Sequence, residues 1–429
     1  MEKEFGLISW ARNTNVYEVN TRQYTPEGTF QAFFAHLPRL AEMGIEVLWF
    51  MPITPISMVN RKGSLGSYYA CSSYTSINPE FGSVKDFKSI IDKAHALGMK
   101  VIIDWVANHT GCDHEWTKSH PAFYKRNHEG SFYDAHGWDD VIDLNYENHD
   151  MRNAMIACMK YWIVECGIDG FRCDMAMLTP VDFWRQARQQ LEQEKQLFWL
   201  AELDPLENPS YMRVFDAAYT WKWMHATKQF KDEGARHIHD LREKLLQYES
   251  MPPNTLPAWF TSNHDENSWN GTEYEKYGEM VSVLAVLSCT WNGMPLIYSG
   301  QELPNYKRLP FFDKDCIEWE EEPRLHSFYK KLLELRKQHA CFQANTAKTN
   351  TFLLRNSVDH HVFCFKRTSS DAVVLVCINF SPYDLHQVEI EMGDEAGVYV
   401  DLFSDEQKTF NSKYIYLDLK RWSSQIWIK

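Results

Sequence analysis

The chain has 429 residues, of which 44% are hydrophobic and 24% charged, a composition typical of a globular protein with room for two domains. No apolar run approaches the roughly 20 residues that span a bilayer, so we expect no membrane anchor. The net charge of −14 and the lack of a basic patch argue against nucleic acid as a partner. Residues 1–6 carry no secretory signal pattern, and we expect a cytoplasmic protein.

Strands and helices are predicted to alternate along the first 340 residues. The pattern opens with strands at 15–19, 46–50 and 100–104, and the intervening helices are at 29–43 and 84–97. Residues 110–147 then break the alternation with an aromatic-rich stretch that is too long for a simple connection, which predicts an inserted subdomain after the third strand.

The alternation continues after the insertion and gives about eight strand and helix units. Eight such units close a (β/α)₈ barrel, so we predict an α/β protein with a TIM-barrel domain at 1–340. From about residue 341 the sequence changes to short strand-like runs separated by turn residues. These runs predict a second, all-β sandwich domain at 341–429.

Four of the apolar runs end on polar or charged side chains. These endings are the sequences at 104–109, 170–174, 200–202 and 263–265. Parallel strands in such a barrel carry function at their carboxyl ends, so we expect the four endings to converge on one site.

Arg172 and Asp174 are two residues apart on a predicted strand and therefore point to the same face. A cation at that distance would hold the carboxylate ionised, as a nucleophile requires. The other interpretation of the pair, taken by itself, is a structural ion pair at the end of a strand.

Together the four endings resemble the conserved motifs of the α-amylase family of glycoside hydrolases. In chain order they read DWVANH at 104–109, GFRCD at 170–174, Glu202 and NHD at 263–265. Each motif is weak by itself, but the set in this order is specific. The GSYY sequence at 66–69 and the IYSGQE sequence at 297–302 extend the resemblance over the whole barrel.

The resemblance implies that Asp174 is the nucleophile, Glu202 the general acid and base, and Asp265 the carboxylate that binds sugar hydroxyls. Retaining hydrolysis needs the same division, because one carboxylate attacks the anomeric carbon while a second carboxyl protonates the leaving oxygen. The resemblance further implies that His109, His264 and Arg172 serve substrate binding and that Tyr69 stacks beneath the sugar ring.

The chemistry needs no cofactor, but the family resemblance implies a structural calcium ion with Asn108 and Asp143 among its ligands. Many family members follow the nucleophile with a Lys-His pair that contributes to this calcium site. Met177 and Leu178 stand at those positions here, which weakens the case for calcium.

The resemblance implies a retaining enzyme that hydrolyses α-1,4-glucosidic bonds in glucans or maltooligosaccharides. A glucanotransferase or a disaccharide isomerase would use the same intermediate, and sequence does not separate these activities. A third alternative is a glucan-binding barrel without activity, which the presence of all three carboxylates disfavours. The partner in each case is an α-glucan or oligosaccharide, and the oligomeric state stays open.

Overall fold

A closed barrel of eight parallel strands forms the centre of the molecule, as predicted. The structure is a computed structural model and describes residues 3–233, 238–252, 254–343 and 349–429. The strands of this part of the chain are β1 Val16–Val19, β2 Val47–Phe50, β3 Lys100–Trp105, β4 His109–Gly111, β5 Val141–Asp143, β6 Gly170–Cys173, β7 Phe198–Ala201, β8 Ala217–Tyr219, β9 Leu256–Trp259 and β10 Met294–Tyr298. Strands β4 and β5 pair with each other outside the barrel and belong to the predicted insertion.

The helices largely follow the strands, as the alternating pattern predicts. They are α1 Thr21–Tyr24, α2 Phe30–Phe34, α3 Leu37–Met43, α4 Val84–Ala96, α5 Trp116–Ser119, α6 His149–Tyr161, α7 Val181–Leu191, α8 Trp221–Glu233, α9 Ile238–Tyr248, α10 Glu273–Tyr277, α11 Val281–Thr290 and α12 His326–Gln338. The single helix predicted at 29–43 is wrong, because α2 and α3 are separate. Pro38 sits in the first turn of α3, where its missing N–H and its ring exclude a continuous helix through this point. None of the helices among the described residues has the length and apolar character needed to cross a membrane.

The C-terminal part is all-β, as predicted. Its strands are β11 Asn350–Leu354, β12 Val362–Thr368, β13 Val373–Asn379, β14 Leu385–Glu391, β15 Gly397–Asp401, β16 Gln407–Phe410, β17 Tyr414–Leu419 and β18 Ser424–Ile428. Six of them form one sheet, and β14 pairs with β17 in a second. No strand is predicted from the sequence at β16, whose QKTF residues bury only Phe410. The domain limits of 1–340 and 341–429 stay predictions.

The pairing of β6 with β7 sets the geometry of the site. Cys173 is in register with Ala201, so the residues that follow, Asp174 and Glu202, leave neighbouring strands side by side. Gly170 makes this pairing possible, because a Cβ there would lie 2.0 Å from the carbonyl oxygen of Phe198. The glycine of the GFRCD motif is therefore needed for close approach of the two backbones.

Candidate active site

A cavity of about 440 Å³ opens at the carboxyl ends of the barrel strands. Its wall includes Tyr69, His109, Asp174, Glu202 and Asp265. These five residues come from different strand endings, and the closure of the barrel brings them together. The volume is in the range of small-molecule binding sites.

Arg172 lies beneath the cavity and contacts three carboxylates. Its Nη1 donates hydrogen bonds at 3.0 Å to Asp174 and to both carboxylate oxygens of Asp104. Its Nη2 lies 2.9 Å from Glu202 Oε2. The guanidinium is fully buried and sits 4.8 Å over the Trp49 ring. Arg172 therefore contacts the carboxylates from below and is not among the residues that line the cavity.

The negative charge of this cluster exceeds the charge that Arg172 supplies. Burial and the charge of Glu202 raise the pKa of Asp174 well above its usual range, although Arg172 lowers it as the sequence predicts. Burial also raises the pKa of Asp104 to about 6, against the opposing effect of Arg172. These surroundings therefore disfavour the ionised form of Asp174, and Arg172 is the cation that opposes this effect.

Glu202 is oriented by the backbone next to Asp174. The N–H of Met175 donates to Glu202 Oε2 at 2.8 Å. Met175 has a φ of 37°, in the left-handed region that residues other than glycine rarely adopt. Strained backbone of this kind persists where the surroundings hold it, and here it aims an N–H at Glu202.

Tyr69 and His264 form a stacked pair on one side of the cavity. Their rings lie 5.4 Å apart at 19°, and the Tyr69 hydroxyl is 2.8 Å from His264 Nε2. The same hydroxyl donates to Asp104 Oδ2 at 3.2 Å. His264 Nε2 is also 3.3 Å from Asp265 Oδ2, which links the pair to Asp265. The Asp265 side chain is more exposed than those of Asp174 and Glu202.

His109 also lines the cavity and lies at the start of β4. Its ring packs edge-on against Trp138 of the insertion, with centroids 5.5 Å apart. Burial lowers the pKa of His109 to about 4, and the charges of Asp134 and Asp140 only partly oppose this effect. The imidazole is therefore neutral near pH 7 and carries one N–H donor and one acceptor nitrogen.

Several residues of the cavity wall were not predicted from the sequence. They include Lys62, Asp140, Trp269, Phe311 and Phe312. Lys62 Nζ and Asp140 Oδ1 lie 2.9 Å apart, and they join the loop after β2 to the insertion. Trp269 is 53% exposed and rests against the two phenylalanines. Of these residues, Trp269 alone has a signal in the sequence, because it follows the NHD motif at 263–265 by a few positions.

The region predicted to bind calcium contains a lysine. Lys125 Nζ lies 3.0 Å from Asp143 Oδ2, while Asn108 faces His109 through its amide nitrogen at 3.3 Å. No cluster of three or more His, Cys, Asp or Glu suited to a metal ion occurs within the described ranges. Calcium prefers six to eight oxygen ligands, so an ammonium group on Asp143 does not fit that ion.

A second carboxyl, that of Asp134, lies near Asp143. Asp143 Oδ1 and Asp134 Oδ1 are buried and have no hydrogen-bond partner among the described residues. Burial raises the pKa of Asp143, Lys125 lowers it, and the nearby Asp134 raises it again. Lys125 is therefore the cation that opposes the effects of burial and of Asp134 on Asp143.

The sequence matches two family profiles that together cover most of the chain. One is described as the alpha amylase catalytic domain and matches residues 11–136 and 124–308. The other is described as the alpha amylase C-terminal all-beta domain and matches residues 355–426.

Individual proteins show the same similarity. A maltogenic α-amylase, AmyB of Thermotoga neapolitana, superimposes with a TM-score of 0.86 at 27% identity, over 97% of this chain and 98% of the other. An α-amylase from Lactobacillus plantarum has a TM-score of 0.85 at 28% identity, over 98% of this chain and 99% of the other.

A relative with a different activity is also similar in sequence. The α-1,4-glucan:maltose-1-phosphate maltosyltransferase of Chlorobaculum tepidum is 29% identical over 62% of this chain and 42% of its own length. This chain spans about half the length of two of the curated relatives that it matches. The profile matches over the barrel and the β-domain lead to one conclusion: this chain belongs to the α-amylase family.

Proposed function

We propose that the protein is a retaining α-glycosidase that hydrolyses α-1,4-glucosidic bonds of glucans or maltooligosaccharides. One observation carries the proposal: a single guanidinium group, that of Arg172, contacts both Asp174 and Glu202, at 3.0 and 2.9 Å. Asp265 lines the same cavity. Double displacement at an anomeric carbon requires two neighbouring carboxyls, one ionised as the nucleophile and one protonated as the general acid.

In the first step, Asp174 forms a bond to the anomeric carbon while the bond from that carbon to the leaving oxygen breaks. Glu202 transfers its proton to the leaving oxygen. In the second step, water adds to the anomeric carbon, gives a proton to Glu202, and the bond to Asp174 breaks. Met175 and Arg172 both contact Oε2 of Glu202, so in this proposal Oε1 carries the proton.

The other residues of the wall bind the sugar in this proposal. Asp265 accepts hydrogen bonds from sugar hydroxyls, and Tyr69 lies beneath the ring. The neutral His109 can donate to one hydroxyl and accept from another. Because the Lys62–Asp140 ion pair forms part of the wall, we favour short maltooligosaccharides over long glucans, which need a cleft open at both ends.

The test is a product chromatogram after incubation with maltoheptaose, soluble starch, pullulan and maltose. Shorter products with maltoheptaose, absent for Asp174→Asn but present for the outer-helix control Asp182→Asn, support hydrolysis. Longer products would instead assign a glucanotransferase, and a new disaccharide of unchanged mass would assign an isomerase. No change in any substrate would favour a binding protein without activity.

A further inference from the structure

A buried acid lies behind the substrate-binding side of the cavity, in a place that none of the four motifs explains. Glu18 is on β1 and His264 follows β9, and their side chains are 0% and 1% exposed. Glu18 Oε1 lies 2.5 Å from His264 Nδ1 and also 3.4 Å from the His264 backbone nitrogen. A carboxylate removed from water is unfavourable unless a charged partner compensates it.

The protonation state of His264 follows from counting the protons that its hydrogen bonds require. The Tyr69 hydroxyl has one proton and donates it to Asp104 at 3.2 Å. Its 2.8 Å contact with His264 must then be a hydrogen bond donated by Nε2–H. Nδ1–H donates to Glu18, so every contact is satisfied only when both ring nitrogens of His264 carry a proton.

We propose that Glu18 is a positioning residue of the active site, whose carboxylate keeps His264 as an imidazolium that orients Tyr69 and holds Asp265. The inference rests on the proposed function for its kinetic consequences. Glu18 does not touch the cavity; it acts through His264. Without its charge, the imidazole would lose a proton, Nε2 would no longer donate to Tyr69, and the attraction for Asp265 would weaken.

The charges around His264 agree with this assignment. The titratable groups that face it are Glu18 on β1, Tyr69 after β2, Asp104 on β3, Arg172 on β6 and the adjacent Asp265. Burial lowers the pKa of His264, but the charges of Asp265 and Glu18 raise it to about 9, against the effect of Arg172. The imidazolium is therefore present at neutral pH and is lost as the pH rises through about 9.

The kinetic test compares the pH dependence of kcat/KM for maltotriose in the wild type, Glu18→Gln and Glu18→Asp. Glutamine keeps the size and an acceptor oxygen but removes the charge. We expect the alkaline limb of Glu18→Gln to move to lower pH by at least about one unit, since His264 loses its closest anion. Glu18→Asp keeps the charge and should restore most of the alkaline limb.

A buried acid elsewhere in the barrel controls for loss of stability. Glu302 is fully buried and pairs with Arg39 at 2.9 Å and with Tyr17 at 2.7 Å, away from the cavity wall. Glu302→Gln should lower the unfolding temperature and leave the alkaline limb in place. An unshifted limb in a folded Glu18→Gln variant would overturn the proposal.

A second measurement works without any enzyme activity. In ¹⁵N-histidine-labelled protein, the ring signals of His264 are identified by their loss in His264→Gln. We expect both ring nitrogens to be protonated at neutral pH in the wild type, and the ring to titrate at a lower pH in Glu18→Gln. Equal titration in the two proteins would overturn the role of Glu18, whereas absence of glucan cleavage with a shifted titration would overturn only the proposed function.

Discussion

Lys125 Nζ lies 3.0 Å from Asp143 Oδ2, so an ammonium group compensates the carboxylate at which the family resemblance implies calcium. Asp143 is fully buried, while Lys125 is 40% exposed and reaches in from the insertion. Both residues belong to the insertion, and the ion pair joins the segment that contains Lys125 to β5, which ends at Asp143. Calcium binding at Asn108 and Asp143 stays a prediction of the family resemblance. Because Lys125 already compensates Asp143, we expect no effect of a calcium chelator on stability.

The first prediction concerns the stability that Lys125 confers. A chelator should leave the unfolding temperature of the wild type unchanged. Lys125→Met should lower the free energy of unfolding by about 1–3 kcal/mol, between the values for surface and buried ion pairs, because Asp143 loses its cation. Thermal unfolding with and without EDTA and added Ca²⁺ measures both effects.

An exposed ion pair gives the matched control. Lys160 pairs with Glu194 on the surface, and Lys160→Met should change the free energy of unfolding by less than about 1 kcal/mol. A wild-type unfolding temperature that falls in EDTA and recovers with Ca²⁺ would mean that the ion, and not Lys125, holds this region together.

The second prediction separates the two carboxyls of the proposed mechanism. Glu202→Gln should reduce cleavage of maltotriose by about 10²- to 10⁴-fold, the usual contribution of a general acid. The same variant should still release fluoride in a burst from α-glucosyl fluoride, because fluoride leaves without a proton. Asp174→Asn should lose both reactions, since no nucleophile remains. Equal loss of both reactions in Glu202→Gln would contradict the assigned roles.

The third prediction tests the wall formed by Lys62 and Asp140. Lys62→Ala removes the ion pair that joins the loop after β2 to the insertion. We expect kcat/KM for amylose to rise relative to that for maltotriose, because the cavity opens to longer chains. Lys330→Ala, which removes an ion pair with Glu42 between outer helices, is the control. An unchanged ratio would show that this pair does not limit chain length.

The fourth prediction concerns the exposed ring of Trp269. Because the ring is 53% exposed, Trp269→Ala should leave the unfolding temperature nearly unchanged. It should raise KM for maltooligosaccharides about 5- to 30-fold, as expected for the loss of about 1–2 kcal/mol of aromatic contact. Tyr383→Ala, which removes a 61% exposed ring from the β-domain, should leave KM unchanged. An unaltered KM for Trp269→Ala would remove this ring from the binding surface.

The sequence was sufficient for the barrel, the insertion and the all-β domain. Strand and helix periodicity is a local property, and the polar ends of four strands are readable because carboxyl ends of parallel strands meet at one edge. The errors are also local. Pro38 divides a helix that periodicity alone makes continuous, and the polar β16 lacks the alternation that marks a strand.

The electrostatic details of the site depend on tertiary structure. Glu18 and His264 are 246 residues apart, and only closure of the barrel brings β1 close to the end of β9. Folding likewise joins Lys62 to Asp140 and Lys125 to Asp143. The sequence by itself determined which carboxyls stand at strand ends. Tertiary structure decided which cation faces each of them and how deeply each is buried, because charge effects depend on distance and exclusion of water and not on position along the chain.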